Sequence, residues 1–422
     1  MAEAVPVAWA TDSPRARYAL GVLLGLLGLR ARDASPGERA LLAYGEADAV
    51  VRIPTGPQEG WDDPDPERSR IATPDDPLYA TYGCLTAPWE RVDPRNEVGT
   101  PIAEGGWLHR HGLLEEPHVH RYAATLAASL PAPRLPEPSL VLTHDVDEHF
   151  ADLFGVREAL TRLRRELPRP SAFRRAAGLG RRLVRRGPDP NDRWDEWRKL
   201  LGDWGRATFF AASYGLFDEG AGRFDVAYDV RRPEVARELR SLAEAGGEIG
   251  IHFSLQARSS AEQVRRERER LEEALGVEIR SSRHHWWALG EEPWRTLRFH
   301  AEAGMTVDCS FGFNDLPGFR RGIAAPFHPF DPEREEALPI LCLPTIAMDR
   351  AASDAATLER LLETCVSAGG ALVLDWHAHV LNPAAMPGAR EALFDVVRLA
   401  RERGVPLRTP LELAGAAYDR GP

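Results

Sequence analysis

The C-terminal half of the sequence alternates between helical patterns and short apolar strands, and this alternation limits the folds open to the chain. Helices are predicted at 194–204, 233–245, 260–275, 293–303, 356–368 and 390–403. Short strands are predicted between them, as at Ala207–Ala211, Glu248–Ile251 and Leu372–Leu374. Repeated helix–strand units of this kind form a parallel sheet, which we expect to close into a (β/α) barrel.

The first strand of this region has an unusual end. The apolar run Leu140–Leu142 is followed directly by Thr143–His144–Asp145–Val146–Asp147. Two carboxylates two residues apart on an extended backbone point the same way. Like charges this close cost free energy unless a cation or a proton lies between them. An acidic loop after a strand would also fit this segment taken alone.

Polar residues follow other predicted strands as well. They are His252, Arg283 with His285, Asp308, and His377. Because the carboxyl ends of parallel strands share one face of a barrel, we expect these residues to meet Asp145 and Asp147 there. Carboxylates and imidazoles together suit a divalent metal of the zinc type. A carboxylate base and a histidine acid beside the metal would allow hydrolysis of an amide or an ester.

The composition indicates a globular protein. The chain has 422 residues, of which 43% are hydrophobic and 28% charged, so it is long enough for two domains. A net charge of −11 argues against nucleic acid as the main partner. The four cysteines include no CxxC pair, which argues against a cysteine zinc site. The start lacks the basic region of a signal peptide, and the apolar segment 18–29 is too short for a transmembrane helix, so we expect a cytoplasmic protein.

Residues 1–130 are expected to form a smaller N-terminal α/β accessory domain. Strands are predicted at 5–10, 40–44 and 50–53, and Ser13–Pro14 has the pattern of a helix start. The region also contains four histidines, expected at the surface or at helix ends: His109, His111, His118 and His120. The proline-rich segment 131–138 is a predicted linker to a second domain at 138–415.

The second domain contains a predicted arginine-rich insert at 150–193. Ten arginines lie between Arg162 and Arg186. This composition fits a solvated helical hairpin, and it would also fit a clamp for an anionic substrate.

Several motifs in chain order resemble those of the polysaccharide deacetylase family, the NodB-homology carbohydrate esterases of family 4. Thr143–Asp147 is similar to the family's Thr-Phe-Asp-Asp-Gly motif, with one residue inserted between the acids. Ala207–Phe210 matches its Ala-Thr-Phe-Phe strand, and Gly247–Ser254 matches its second motif. Leu374–His377 resembles its Leu-x-His motif with one extra residue. Gly318–Gly322 reads Gly-Phe-Arg-Arg-Gly, which is similar to a motif of the subgroup whose first motif is Thr-His-Asp-Val-Asp. The resemblance spans about residues 138–412 and implies a distorted (β/α) barrel of the NodB-homology type.

The resemblance also implies roles for the strand-end residues. The implied catalytic set is Asp145 as general base, His377 as acid, Arg283 as the arginine that steadies the base, and Asp308 as the carboxylate partner of that arginine. Asp147 and His252 would be metal ligands. Because Val146 separates the two acids, the roles of Asp145 and Asp147 could be exchanged.

The sequence leaves the third metal ligand open, because Gln256 stands where the family has a second histidine. We expect His285 to take this role, with His284 and Gln256 as alternatives, and zinc as the metal. Two further residues are candidates for substrate binding. Arg320 could hold a substrate carboxylate or phosphate, or form a structural salt bridge, and Trp286 could stack against a sugar ring or pack in the core.

Together, the residues and the resemblance predict a metal-dependent enzyme that deacetylates an amino sugar in a glycan, a glycan precursor or a small glycoside. A hydrolase of a non-sugar amide or imide is one alternative. A catalytically inactive glycan-binding barrel is another, suggested by Gln256. The presence of a complete acid–base set favours an enzyme. The sequence leaves the oligomeric state open.

Overall fold

The computed structural model describes residues 3–418 apart from 11–12, 46–48, 57–60, 62–69, 131–132, 151–153, 155, 159, 162–188, 220, 223 and 353. The arginines of the predicted insert, from Arg162 to Arg186, lie outside the described residues, so both interpretations of that insert remain predictions. No helix in the described ranges has the length and apolar character needed to cross a membrane.

The N-terminal block, residues 3–130, is built on a four-stranded parallel sheet with the strand order β2-β1-β3-β4. Its strands are β1 (Glu3–Trp9), β2 (Leu29–Asp33), β3 (Ala40–Tyr44) and β4 (Ala49–Ile53). Its helices are α1 (Pro14–Leu26), α2 (Pro77–Thr86), α3 (Trp107–Arg110) and α4 (His118–Ala127). Helix α1 starts as predicted, because the Ser13 side chain accepts a hydrogen bond from the Ala16 amide and Pro14 is its first residue.

A second, larger sheet begins at residue 139, and with its helices we call it the barrel. Its strands are β5 (Ser139–Val146), β6 (Thr208–Ala211), β7 (Glu248–Phe253), β8 (Ser281–His284) and β9 (Val307–Asp308), followed after a small hairpin by β12 (Leu341–Cys342), β13 (Ala347–Met348), β14 (Ala371–Asp375) and β15 (Leu407–Arg408). The hairpin consists of β10 (Phe330–Asp331) and β11 (Glu336–Ala337).

The barrel sheet is parallel throughout, with the order β12-β9-β8-β7-β6-β5-β14-β13 and with β15 beside β5. All eight residues of β5 are buried, as expected for a central strand of a sheet that is covered on both faces. Among the described residues, no strand pairing joins β12 to β13. The fold is therefore a distorted, open (β/α) barrel rather than a closed one, since its edge strands have only two residues each.

Six helices of the barrel lie where the sequence predicts them, within one residue at each end, and a seventh, Pro410–Tyr418, was not predicted. They are α5 (Trp194–Trp204), α6 (Pro233–Glu244), α7 (Ala261–Leu275), α8 (Pro293–Glu302), α9 (Ala355–Ala368) and α10 (Ala389–Glu402), followed by α11 (Pro410–Tyr418). Local signals explain this agreement. Ser260 and Asp354 cap helix starts, and Gly205, Gly276 and Gly369 end helices in the left-handed conformation.

The N-terminal block and the barrel share a buried boundary. His120 is buried rather than at the surface, and its two ring nitrogens lie 2.9 Å from the Ala368 carbonyl and 3.1 Å from the Ala324 amide. His118, at the start of α4, is also buried, whereas His109 and His111 are exposed as predicted. The prediction of a surface or helix-end position is therefore wrong for His120, because that residue faces the barrel.

Candidate metal centre and catalytic residues

The register of the barrel strands explains how distant residues reach one site. Asp145 on β5 lies opposite Phe210, which lies opposite Gly250 on β7. His252 follows two positions later and lies opposite Arg283 on β8. Because side chains two residues apart on a strand share a face, Asp145, His252 and Arg283 all point to the same side of the sheet. Gly250 is needed in this row, since a Cβ there would lie 2.5 Å from the Phe210 ring.

Three residues form a candidate metal site at the carboxyl ends of β5, β7 and β8. The potential ligand atoms of Asp147, His252 and His285 all lie within 4.8 Å of one another. His252 Nε2 is 3.3 Å from Asp147 Oδ1, and His285 Nε2 is 3.5 Å from Asp147 Oδ2. Asp147 Oδ1 and His252 Nε2 are buried and, apart from their 3.3 Å contact with each other, have no hydrogen-bond partner among the described residues. Buried atoms of this kind require a partner, and one carboxylate with two imidazoles suits a zinc-type ion.

The alternative ligand His284 lies on the opposite face of β8. Its side chain is fully buried, and its Nε2 is 2.9 Å from Nε2 of His300. His285 instead follows the end of the strand and reaches Asp147. Of the two neighbouring histidines, only His285 belongs to the candidate metal group.

Asp145 is held beside this group by an ion pair. Its Oδ1 lies 2.8 Å from Arg283 Nη1, and its Oδ2 lies 3.6 Å from His252 Nε2. Burial alone would raise the pKa of Asp145, but the positive charge of Arg283 and the neighbouring His252 imidazole outweigh this effect and lower the pKa. Asp145 is therefore ionised at neutral pH and can accept a proton.

The predicted ion pair between Arg283 and Asp308 is wrong. Asp308 lies opposite Ser282 in the sheet, so its side chain is on the face away from Arg283. There it accepts hydrogen bonds from Ser282 Oγ at 2.9 Å and from the Ser310 amide at 2.9 Å, and it lies 3.2 Å from His300 Nδ1. Asp308 thus belongs to a buried network behind the site.

Asp375 takes the place that was expected for Asp308. Arg283 Nη1 lies 3.1 Å from Asp375 Oδ1, and Arg283 Nη2 donates to Thr345 Oγ1 at 2.9 Å. Asp375 lies opposite Thr143 on β5, which shares a face with Asp145 two residues later. The strand register therefore brings both carboxylates to the same guanidinium.

His377 faces the candidate metal group from the end of β14. Its Nε2 lies 3.6 Å from Asp147 Oδ2, and its Nδ1 lies 3.0 Å from Asp349 Oδ2. Burial disfavours the charged imidazole, but the carboxylates of Asp349, Asp147 and Asp375 outweigh it and raise the pKa of His377 well above its usual value. His377 is therefore protonated at neutral pH and can donate a proton.

Two acidic residues near the site were missed by the sequence analysis. Asp349 directly follows β13, a two-residue strand that has no clear pattern in the sequence. Asp225 is buried in a loop after β6, 4.0 Å from His285 Nδ1, and it accepts a hydrogen bond from the Gly222 amide at 2.6 Å. An acid directly after the apolar run Ile346–Met348 was the one available signal for Asp349.

Arg320 does not bind substrate at the mouth of the site, so this prediction is wrong. Its side chain is buried, and its guanidinium forms a two-point ion pair with Glu90 at 2.8 and 3.0 Å. Its Nη1 donates to the Gly312 carbonyl at 2.9 Å. The alternative interpretation, a structural salt bridge, is the one observed, and it joins the N-terminal block to the barrel.

Trp286 lies beside the candidate metal group, next to His285. Its side chain is partly buried and meets the Phe224 ring edge-on at 5.7 Å. Its backbone has a φ of 59°, and its carbonyl accepts hydrogen bonds from Thr100 Oγ1 at 2.9 Å and Asn314 Nδ2 at 3.2 Å. Stacking against a sugar stays a prediction for this residue.

A polar cleft adjoins the site on the His377 side. It has a volume of about 480 Å³, and its lining includes Glu148, Asn191, Arg350, His379 and Asn382. The His379 ring lies 5.4 Å from the His377 ring. The cleft offers room for part of a substrate beside the candidate acid.

No protein-family model and no curated protein matches the chain. Among solved structures, it is similar to a Mycobacterium smegmatis protein designated as a polysaccharide deacetylase, with 19% identity, coverage of 69% of this chain and 93% of that chain, and a TM-score of 0.45. It is also similar to Puue allantoinase, with 16% identity, 68% and 91% coverage and a TM-score of 0.42. A CE4 family pseudoenzyme from Bacillus anthracis has 13% identity, 68% and 70% coverage and a TM-score of 0.33. Polysaccharide deacetylases are thus among the structures that the chain resembles, as its motifs predict.

Proposed function

We propose that this chain is a metal-dependent hydrolase that removes an N-acetyl or other acyl group from an amino sugar. The observation that carries the proposal is the meeting of Asp145, the group Asp147–His252–His285, and His377 at one face of the barrel. A candidate base, a candidate metal site and a candidate acid thus lie in mutual contact, as amide hydrolysis requires.

Asp147, His252 and His285 would hold the ion, which we expect to be zinc. When bound, such an ion polarises the amide carbonyl and lowers the pKa of a water molecule. Asp147 Oδ1 and His252 Nε2, two buried atoms that have only each other as a polar contact within 3.5 Å among the described residues, support this assignment.

Asp145 would take the proton of the attacking water. Its Oδ1 is held by Arg283, which leaves Oδ2, on the His252 side, as the oxygen that accepts the proton. Fixing one oxygen of a base orients the other toward the reaction, which lowers the entropic cost of proton transfer.

His377 would protonate the leaving nitrogen from Nε2, since its Nδ1 faces Asp349. The raised pKa keeps this proton on the ring at neutral pH. Base and acid thus hold opposite protonation states at the same pH, which is the condition for general base and general acid catalysis in one cycle.

Elemental analysis of the purified chain, alone and as His285→Ala, tests the metal site. We expect about one zinc-type ion per chain in the wild type and its loss in the variant. His109→Ala, which changes an exposed histidine, should keep the ion. Absence of metal after repletion would contradict the hydrolase mechanism and favour an inactive glycan-binding barrel.

Substrate class is tested separately, by measuring the amine released from a panel of N-acetylated sugars. The panel should include N-acetylated non-sugar amides and cyclic imides of similar size. Release from the sugars alone supports the proposal. Release from the amides or imides alone would be consistent with the proposed mechanism but would show that the substrate is not an amino sugar.

A further inference from the structure

Two buried arginines share one buried carboxylate at the boundary between the N-terminal block and the barrel. Arg320 and Arg321 come from the barrel, and Glu90 comes from the N-terminal block. The exposed fractions of Arg320 and Arg321 are 1% each, and that of Glu90 is 6%. Arg320 donates hydrogen bonds from Nε and Nη2 to the Glu90 carboxylate and from Nη1 to the Gly312 carbonyl. Each of its three side-chain nitrogens therefore has a partner.

Arg321 is incompletely paired. Its Nη2 lies 3.2 Å from Glu90 Oε2, whereas its buried Nε and Nη1 make no hydrogen bond among the described residues. One face of its guanidinium lies over the Phe311 ring, at 4.1 Å from the ring centre. The ring covers that face and leaves the in-plane N–H groups without acceptors.

The surrounding charges do not neutralise Arg321. The charges of Arg95 and Asp93 also interact with the Glu90 carboxylate. Because these two charges have opposite signs, their effects on Glu90 offset each other. At the rim, Arg91 and Glu291 likewise have opposite charges. Burial lowers the pKa of Arg321 to about 10, so it remains charged at neutral pH. One positive charge is therefore left over in a buried place, where an unpaired charge is costly.

A small cavity lies next to this charge. Its volume is about 60 Å³, and Glu90, Pro293, Trp294, Phe311 and Arg321 contribute to its lining. The ten-residue helix α8 begins at Pro293, with no acidic residue in its first turn, and its N-cap residue Glu292 makes no side-chain cap but pairs with Arg295 at 2.7 Å. The N-terminus of a helix carries a partial positive charge. The indole Nε1 of Trp294 is also buried and has no hydrogen-bond partner among the described residues.

We propose that this cavity binds a small monovalent anion of the size of chloride. The unsatisfied side-chain groups at the cavity are N–H donors, and an anion can accept hydrogen bonds from several of them at once. The volume holds about two molecules of water size, which suits a single-atom anion. Water alone would accept the hydrogen bonds but would leave the excess charge of Arg321 uncompensated.

The anion would stabilise the contact between the N-terminal block and the barrel, because it would neutralise the excess positive charge that Arg321 brings to this boundary. This site is separate from the proposed metal centre and does not depend on the proposed function. Binding to the folded state alone predicts a Tm that rises with anion concentration.

Thermal unfolding of the full chain in sodium chloride, compared with sodium gluconate at equal ionic strength, tests the proposal. Gluconate is too large for the cavity. We expect the wild-type Tm to be about 2 °C higher at saturating chloride, and bromide should act like chloride. Arg321→Gln should abolish this difference. Arg398→Gln, which removes an exposed arginine from helix α10, should preserve it.

An equal wild-type Tm in chloride and gluconate would overturn the proposal and assign the cavity to water. Retention of the full chloride effect in Arg321→Gln would overturn it as well. If Arg321→Gln does not fold, crystals of the wild type grown in bromide provide the test instead. An anomalous bromide peak beside Arg321 and Trp294 would support the site, and its absence there would reject it.

Discussion

Asp349 contacts His377 at two points. Its Oδ2 accepts a hydrogen bond from the His377 backbone amide at 2.7 Å and also lies 3.0 Å from the ring Nδ1. This double contact fixes both the position of the chain and the orientation of the ring. The remaining nitrogen, Nε2, is thereby directed toward Asp147.

Asp349→Asn should therefore reduce kcat by at least about 100-fold, since the amide holds the imidazole less firmly and no longer supports its charged form. Metal content should stay near the wild-type level. Asp395→Asn, in the partly exposed helix α10, provides a matched control that should keep full activity. An unchanged kcat in Asp349→Asn would exclude His377 as the acid in the form proposed.

The two acids at the end of β5 should respond differently to the same change. Asp145→Asn should abolish activity while the metal remains, because Asp145 is bound mainly to Arg283. Asp147→Asn should lose both the metal and the activity, since Asp147 lies between His252 and His285. Elemental analysis and a deacetylation assay on each variant provide the comparison. Loss of metal from Asp145→Asn would mean that the two acids have exchanged roles.

Substitution of Asp375 and substitution of Asp308 should change different properties of the protein. Asp375→Asn removes from Arg283 an acid whose pKa burial raises well above its usual value, and we expect kcat/KM to fall about 10-fold to 100-fold without loss of metal. Asp308→Asn disturbs the buried network with Ser282 and Ser310, which should reduce the free energy of unfolding by about 1–3 kcal/mol. Its activity should remain within a few-fold of the wild type. Denaturant titration and steady-state kinetics measure the two effects, and a reversed pattern would restore Asp308 as the functional acid.

Glu267 predicts a pH dependence of stability. This buried side chain accepts hydrogen bonds from the Ser254 amide and from Gln263 Nε2 at 2.8 Å each, and burial raises its pKa to about 7. The folded state therefore holds a proton that the unfolded state releases at lower pH. Stability from this group is present below the ordinary pKa of glutamate and is lost as the pH rises through about 7.

Wild-type protein should thus lose on the order of 3 kcal/mol of unfolding free energy between pH 4.5 and pH 8, relative to Glu267→Gln, which cannot titrate. Glu273→Gln changes an exposed glutamate of the same helix and should follow the wild-type profile. Parallel profiles for wild type and Glu267→Gln would show that Glu267 does not carry this proton.

Local patterns in the sequence were sufficient for the start of α1, for the helices α5 to α10 and for most central strands, whereas α2, α3, α4 and α11 were not predicted. The N-cap at Ser260 and the glycine at Gly276 predict the limits of α7 because they satisfy backbone groups within one or two turns. The strand β2, Leu29–Asp33, was missed because four of its five residues are exposed and its apolar pattern is weak. The two-residue strands β12 and β13 are too short to produce any periodic signal.

For the candidate site too, some features follow from the sequence and others only from the tertiary structure. The sequence by itself predicted Asp145, Asp147, His252, Arg283 and His377, because each lies at or just after a strand whose end had to face the others, whereas the choice of His285 over His284 came from the structure. Only the tertiary structure decided their partners, since a side chain's neighbour across a sheet depends on strand register. Register directed Asp308 away from Arg283 and Asp375 toward it. Contacts between distant segments likewise paired Asp349 with His377 and buried Arg320 against Glu90.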